Sequence, residues 1–249
     1  MTLVLFFVLG VLIGAVVNRL GTDLPARRSP QRPRCPFCGR ARPWIQWVAL
    51  PTYVVGRGRC PHCSAAIAIR YPLVELGLGF LFAFLYLRYG LTWQFAFYAA
   101  YTAILVLITI TDVERRLILN VVTYPAMALA LVGSFFVPGI NWKLALLGGV
   151  IGYVTFYVLA VAGNLLMGPG ALGGGDVTLA AFVGAATGFP LVIEALLLTI
   201  LAGGAISLLL IITRIRTMRD YIPYGPFLVL GGWVTMIWGW EIARWFFAQ

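Results

Sequence analysis

The chain has 249 residues, 61% of them hydrophobic and only 10% charged, with a mean hydropathy of +0.95. A soluble domain carries roughly 25% charged residues, so the composition excludes a water-soluble enzyme and places the chain in a bilayer. The net charge of +10 would suit a nucleic-acid binder, but its distribution answers to membrane topology, and no nucleic-acid partner is expected.

A bilayer span needs about 20 apolar residues. Broken at charges, glycines and prolines, the sequence yields eight apolar runs, beginning near Thr2, Pro72, Trp93, Leu117, Trp142, Val177, Leu191 and Pro226. The expected fold is an all-α integral membrane protein of about eight transmembrane helices, with a small cytoplasmic zinc-knuckle loop between the first and second. The run from Val177 is the shortest. The first run, Thr2 to Val17, lacks the basic segment that precedes a signal peptide's apolar core, and charge follows it instead. It reads as an uncleaved anchor with the N-terminus outside. Three parts follow: an anchor over 1–19, a cytoplasmic loop over 20–71 and a membrane-embedded domain over 72–249.

Threading eight spans from an outside N-terminus collects Arg19, Arg27, Arg28, Arg32, Arg34, Arg40, Arg42, Arg57, Arg59, Arg70, Arg115, Arg116, Arg214, Arg216 and Arg219 in inside loops. Of 18 basic residues, only Arg88, Lys143 and Arg244 remain outside. That bias is the positive-inside rule, and the reverse orientation is rejected because it inverts it. The inside loops face anionic lipid headgroups. The expected location is the inner (cytoplasmic) membrane of a prokaryote.

All four cysteines lie in the first inside loop, as Cys35-Pro-Phe-Cys38 and Cys60-Pro-His-Cys63. A two-residue gap lets both thiolates of a pair reach one metal. Two such pairs complete a tetrahedral four-thiolate site, closed to water and therefore structural, which points to zinc. The 21-residue spacer between Cys38 and Cys60 slightly exceeds the commonest zinc-ribbon spacing, which a loop tolerates. Two disulfides are the alternative, disfavoured in a reducing cytoplasm. His62, the only histidine, reads as a bystander because four thiolates suffice.

Eight acidic residues remain: Asp23, Glu75, Asp112, Glu114, Asp176, Glu194, Asp220 and Glu241. Asp112 closes the run Tyr101 to Thr111. Asp176 opens the run Val177 to Ala186 behind Gly173, Gly174 and Gly175. Ionisable groups at the edge of a membrane core are expensive and mark a pathway or a reaction. The topology puts both at the inside ends of their spans, where they can meet at one depth. Two adjacent carboxyls share a proton. The ionised member then activates a water while the protonated member donates to a scissile carbonyl, and the pair titrates as a unit. Each aspartate also has a structural reading. Asp176 suits a helix N-cap, and Asp112 suits an ion pair with Arg115 or Arg116 at i+3 or i+4. Glu114 faces the loop, and Glu194 and Glu241 lie nearer the outside. The three glycines permit close backbone approach or form a flexible link. An ion- or proton-coupled transporter is the alternative function for such a pair, although no internal repeat is evident.

Four segments, in order along nearly the whole chain, carry a resemblance. They are Asn18-Arg19; Gly56-Arg57-Gly58-Arg59-Cys60 with Cys63 and Arg70-Tyr71-Pro72-Leu73-Val74-Glu75-Leu76; Gly173-Gly174-Gly175-Asp176; and Ile222-Pro223-Tyr224-Gly225-Pro226-Phe227. Together they resemble the type IV prepilin peptidases, the GxGD aspartyl membrane proteases of pilus and type II secretion systems. The resemblance implies cleavage of a short basic leader from prepilins or pseudopilins, after a glycine, on the cytoplasmic side. It sets Asp112 and Asp176 at the positions of the two catalytic aspartates. Many members also methylate the new N-terminal residue, usually Phe, with S-adenosylmethionine, and the zinc-binding loop belongs to that bifunctional form.

The chain departs from the family pattern at three places. Leu119-Asn120 stands where Pro-Asp is frequent, Thr178 where a lysine is frequent, and Ala49-Leu50-Pro51 where Asn-Ile-Pro is frequent. The missing lysine removes a cation that tunes the pair, and the altered loop bears on methylation. Glu75 has two readings, a ligand for a basic leader or for the methyl donor's amine, or a cap on the second span. Arg214, Arg216 and Arg219 read as a topology and headgroup feature.

Overall fold

The computed structural model describes residues 1–28, 34–35, 37–40, 47–55, 57–60, 62–167, 173–213 and 224–247. Arg32, Arg42, Gly56, Arg214, Arg216, Arg219, Asp220, Ile222 and Pro223, named above, lie outside the described residues. Among the described residues every regular element is a helix: α1 (Thr2–Asp23), α2 (Ala49–Val55), α3 (Arg70–Tyr89), α4 (Trp93–Arg115), α5 (Asn120–Gly133), α6 (Trp142–Met167), α7 (Gly174–Thr187), α8 (Leu191–Ile212) and α9 (Gly225–Phe247). Six of them, α1, α3, α4, α6, α8 and α9, are long and apolar enough to cross a bilayer. The all-α membrane architecture expected from the sequence is therefore present. The runs from Leu117 and Val177 form α5 and α7, of 14 residues each. At 1.5 Å per residue such a helix is about 21 Å long, short of a hydrocarbon core of about 30 Å.

The chain divides into two compact units, Met1–Leu107 and Ile108–Gln249. In the first, α1 and α3 pack backbone to backbone. A Cβ on Gly14 would lie 2.7 Å from the Glu75 Cα, so only glycine allows the approach, as is common between membrane helices. Aromatic rings extend the seam. Phe6 stacks on Tyr86 with centroids 4.2 Å apart and meets Phe95 of α4 edge-on at 4.9 Å.

The second unit is built around α7, whose residues from Asp176 to Thr187 are all buried. Beyond Asp176 the helix is apolar or small on every side, the pattern of a helix surrounded by others. Helices α5, α6, α8 and α9 all pack against it. A Cβ on Gly152 of α6 would come 2.9 Å from the Ala180 carbonyl carbon. The helix stops at Gly188, whose φ of 70° continues no right-handed helix. A helix sheathed by its neighbours has no need of membrane-spanning length, and its N-terminal end carries Asp176 into the interior of the unit.

Candidate active site and metal centre

Asp112 lies in the last turn of α4 and Asp176 is the third residue of α7. Both are only 3% exposed, and the charge of Asp112 acts on Asp176. The two carboxyls singled out from the sequence thus lie within electrostatic reach of each other. Asp176 Oδ2 accepts the Gly173 N–H at 3.2 Å. It therefore does cap α7, but by reaching back from the third position. Gly173 is the N-cap itself, extended at φ −75° and ψ 144°. Glycine tolerates the N-cap, and an acidic side chain three residues on supplies the reciprocal half of a capping box.

Arg115 and Arg116 are exposed while Asp112 is buried, and Arg116 ends the helix at a φ of 53°. The Asp112 carboxyl receives the backbone N–H of Gly225, the first residue of α9. Its Oδ2 is buried with no hydrogen-bond partner among the described residues. An unsatisfied buried acceptor of this kind costs about 1–3 kcal/mol. It marks an atom that a proton, a water or a substrate group would satisfy.

Several neighbours escaped the sequence. The Tyr224 ring sits 6.0 Å from that of Phe156 in α6 and feels the charge of Asp176. Gly175 lies so close to Ile118 that a Cβ there would be 2.7 Å from the Ile118 Cβ. Thr178 Oγ1 lies 3.3 Å from Asn120 Oδ1 and 2.9 Å from the Gly175 carbonyl oxygen, and it accepts from Thr123 Oγ1 at 3.4 Å. Two positions that depart from the family pattern, Asn120 and Thr178, are thus hydrogen-bonded neighbours across α5 and α7. The signal was in the sequence only as two separate departures. Glu194, in the first turn of α8, stands at the far end of α7 from Asp176. Glu241 lies towards the C-terminal end of α9, remote from Gly225.

In the first unit the Sγ atoms of Cys35, Cys38, Cys60 and Cys63 all lie within 4.8 Å of one another, and all four thiols are free. The two knuckles share one type of backbone hydrogen bond. Gly39 N–H donates to the Cys35 carbonyl and Ser64 N–H to the Cys60 carbonyl, each at 2.9 Å. Cys35 Sγ and Cys63 Sγ are 3.7 Å apart, against an edge of ~3.8 Å for a tetrahedron with metal–sulfur bonds of about 2.3 Å. The donor set fits a tetrahedral metal. The Cys38 backbone N–H, outweighing burial, holds the Cys35 thiol down to about 6, and backbone N–H groups lower Cys60. At Cys63 a backbone N–H is outweighed by burial and the neighbouring thiols, which push it up. Thiolate character, which binds metal, therefore falls on Cys35 and Cys60. His62 Nδ1 pairs with Arg40 Nη1 at 3.2 Å and stands outside the sulfur cluster.

Glu75 differs from both of its readings. It is 1% exposed, and its two oxygens accept the N–H groups of Ala49 and Leu50, each at 2.8 Å. These are orphan donors at the start of α2, where a carboxylate is favoured. Glu75 therefore caps α2 rather than the second span, and its burial at 1% exposure sets it away from a leader or a methyl donor. Asn18 supports the same corner by donating to the Tyr71 carbonyl at 2.9 Å.

Membrane-spanning helices, with two buried carboxyls at helix ends of the second unit, define the class of a polytopic membrane protein with an acidic internal site. The comparisons with known proteins give the family. The model of the type IV leader peptidase family matches residues 99–208, and that of the bacterial peptidase A24 N-terminal domain matches residues 8–89. The chain is 32% identical to a prepilin leader peptidase/N-methyltransferase of Pseudomonas aeruginosa, covering 84% of this chain and 72% of that protein. It is 31% identical to those of Pseudomonas putida, over 84% and 73%, and Aeromonas hydrophila, over 85% and 73%. No solved structure matches. The chain belongs to the type IV leader peptidase family and is a membrane peptidase of the prepilin peptidase kind. The transporter alternative finds no support among these relatives.

Proposed function

We propose that this protein is an intramembrane aspartyl endopeptidase that removes short basic leaders from type IV prepilins or pseudopilins at the cytoplasmic face, with Asp112 and Asp176 as its catalytic pair. The observation that carries this is the burial of both carboxyls together, with Asp112 Oδ2 unpartnered. Between them the two carboxyls hold one proton. The ionised member takes a proton from water as the water oxygen bonds to the scissile carbonyl carbon. The protonated member gives its proton to the carbonyl oxygen. Collapse of the diol returns a proton to a carboxylate, the amide nitrogen is protonated, and the C–N bond breaks. The pair again holds one proton.

The N-terminus lies outside and the cysteine loop in the cytoplasm, on the strength of the basic inside loops. Zinc is the metal proposed for Cys35, Cys38, Cys60 and Cys63, where it would tie the two knuckles together as a structural ion. N-methylation from S-adenosylmethionine is the second activity proposed, because the relatives' names carry it. Glu75 takes no part in binding the donor in this reading, since it is buried and anchors the start of α2.

The test is cleavage of a synthetic prepilin with a basic leader, a glycine and a following Phe, read by mass spectrometry with S-adenosylmethionine supplied. Asp112→Asn and Asp176→Asn each abolish cleavage while the protein accumulates normally. Wild-type cleavage by either variant refutes the pair, and an unmethylated product from the wild type removes the second activity alone.

A further inference from the structure

We propose that Gly225 is a positioning residue for hydrolysis: its backbone N–H and its missing side chain together hold the Asp112 carboxyl beside Asp176. The inference rests on the carboxyl pair being catalytic. A Cβ built on Gly225 would lie 3.0 Å from Asp112 Cγ and 3.4 Å from its Cβ, and closest of all to Oδ2. That oxygen is the one without a hydrogen-bond partner among the described residues, so the open side of the carboxyl is bounded by a residue that has no side chain.

Neither partner has room to retreat. Asp112 is itself buried at the end of α4, and the chain turns sharply at Arg116 with a φ of 53°. On the other side, α9 is pinned within a few residues of its start. Leu228 is fully buried. The position of a Cβ on Gly232 lies 2.6 Å from Val183 of α7, and one on Gly231 lies 2.6 Å from the Ala195 carbonyl oxygen of α8. Tyr224 is wedged against Phe156 of α6, and its ring comes 3.1 Å from a Cβ position on Gly203 of α8. An added methyl group would therefore be accommodated by rotating the Asp112 carboxyl away from its partner.

The donor is equally constrained. Pro226 has no N–H, and the Phe227 and Leu228 N–H groups go to the Tyr224 carbonyl at 3.1 and 3.3 Å. Of the orphan donors at this helix start, the Gly225 N–H is the one given to the carboxyl. Misplacing a reacting group by about 1 Å can slow a reaction roughly 100-fold.

The experiment uses the full chain in detergent and the same synthetic prepilin. Gly225→Ala lowers kcat by about 100-fold and leaves KM within about twofold of wild type. Gly232→Ala, whose nearest neighbours are side-chain atoms of Val183, serves as the packing control and keeps its kcat per folded molecule. A wild-type kcat in Gly225→Ala overturns the inference, and so does an equal loss of kcat in Gly232→Ala. If Gly225→Ala fails to accumulate, the double variant Asp112→Ala/Gly225→Ala decides. Recovery of folded protein supports the steric contact, and no recovery overturns it. Asp112→Asn and Asp176→Asn run alongside. Loss of cleavage in both, with wild-type kcat in Gly225→Ala, removes the role of Gly225 and leaves the carboxyl pair standing.

Discussion

Replacing Glu75 by alanine separates an anchor from a ligand. The side chain is buried and accepts two backbone N–H bonds at 2.8 Å from the first turn of α2. Each hydrogen bond to a charged group contributes about 1.5–3 kcal/mol, giving a gross loss of about 3–6 kcal/mol. Water entering the space left behind would satisfy the freed N–H groups and return part of this, so a net loss of about 3 kcal/mol is expected. That corresponds to a roughly 150-fold rise in the population with α2 detached, since each 1.4 kcal/mol is tenfold. Hydrogen exchange of the Ala49–Val55 amides in the full-length protein measures it directly. Exchange should accelerate by that order in Glu75→Ala and less in Glu75→Gln, which keeps one acceptor oxygen. Binding of S-adenosylmethionine, followed by calorimetry, should not depend on the carboxylate once the folded fraction is matched. Unchanged α2 exchange in Glu75→Ala would refute the capping argument, and a selective loss of donor binding would restore the ligand role.

Purified protein should hold one zinc ion per chain by elemental analysis. Cys35→Ser with Cys60→Ser should lose it, because each change removes a thiolate from a different knuckle. Two disulfides in the purified protein would contradict this. At the other pair of departures, Thr178→Lys should reduce the folded yield, because Thr178 is 8% exposed and an unpaired buried charge is strongly destabilising, by about 3–5 kcal/mol. Adding Asn120→Asp should recover much of that yield, since Asn120 Oδ1 lies 3.3 Å from the Thr178 hydroxyl. Equal yields with and without the second change would show that the two positions do not couple.

Much of the architecture was legible because its signals are local. Apolar run length and interruption located α1, α3, α4, α6, α8 and α9, and the Cys-x-x-Cys spacing identified four sulfurs that do cluster. The shortness of α5 and α7 was harder to read, since an apolar run looks alike in lipid and among other helices. Asp112 and Asp176 stood out because charge is rare in this chain. The identities of their partners were hidden, because those partners are backbone N–H groups, of Gly225 and Gly173, and a backbone donor leaves no mark in sequence. Glu75 shows the same limit. The N–H groups it accepts lie 25 and 26 residues upstream, and nothing in the side-chain pattern announces them.

The short α7 also bears on how a peptide bond is hydrolysed beside a membrane. Irregular backbone within a membrane protein survives only where it is buried in protein or lines a polar cavity. The second unit has three such stretches at helix ends: the turn at Arg116 after α4, the extended Gly173 before α7, and Tyr224 before α9. Each contributes something a continuous helix cannot. The first sets a buried carboxyl at a helix end, the second lends an N–H to Asp176, and the third leads into Gly225, which lends an N–H to Asp112 and places no side chain against Oδ2. A substrate segment must also leave its helix before its amide can be attacked, because helical carbonyls are already engaged. A site framed by helix ends offers that segment unsatisfied backbone partners in place of a closed helical surface. Gly173, Gly175 and Gly225 are then what keeps the frame open, and a side chain at any of them would press on Asp176, Ile118 or Asp112 without changing either aspartate's charge.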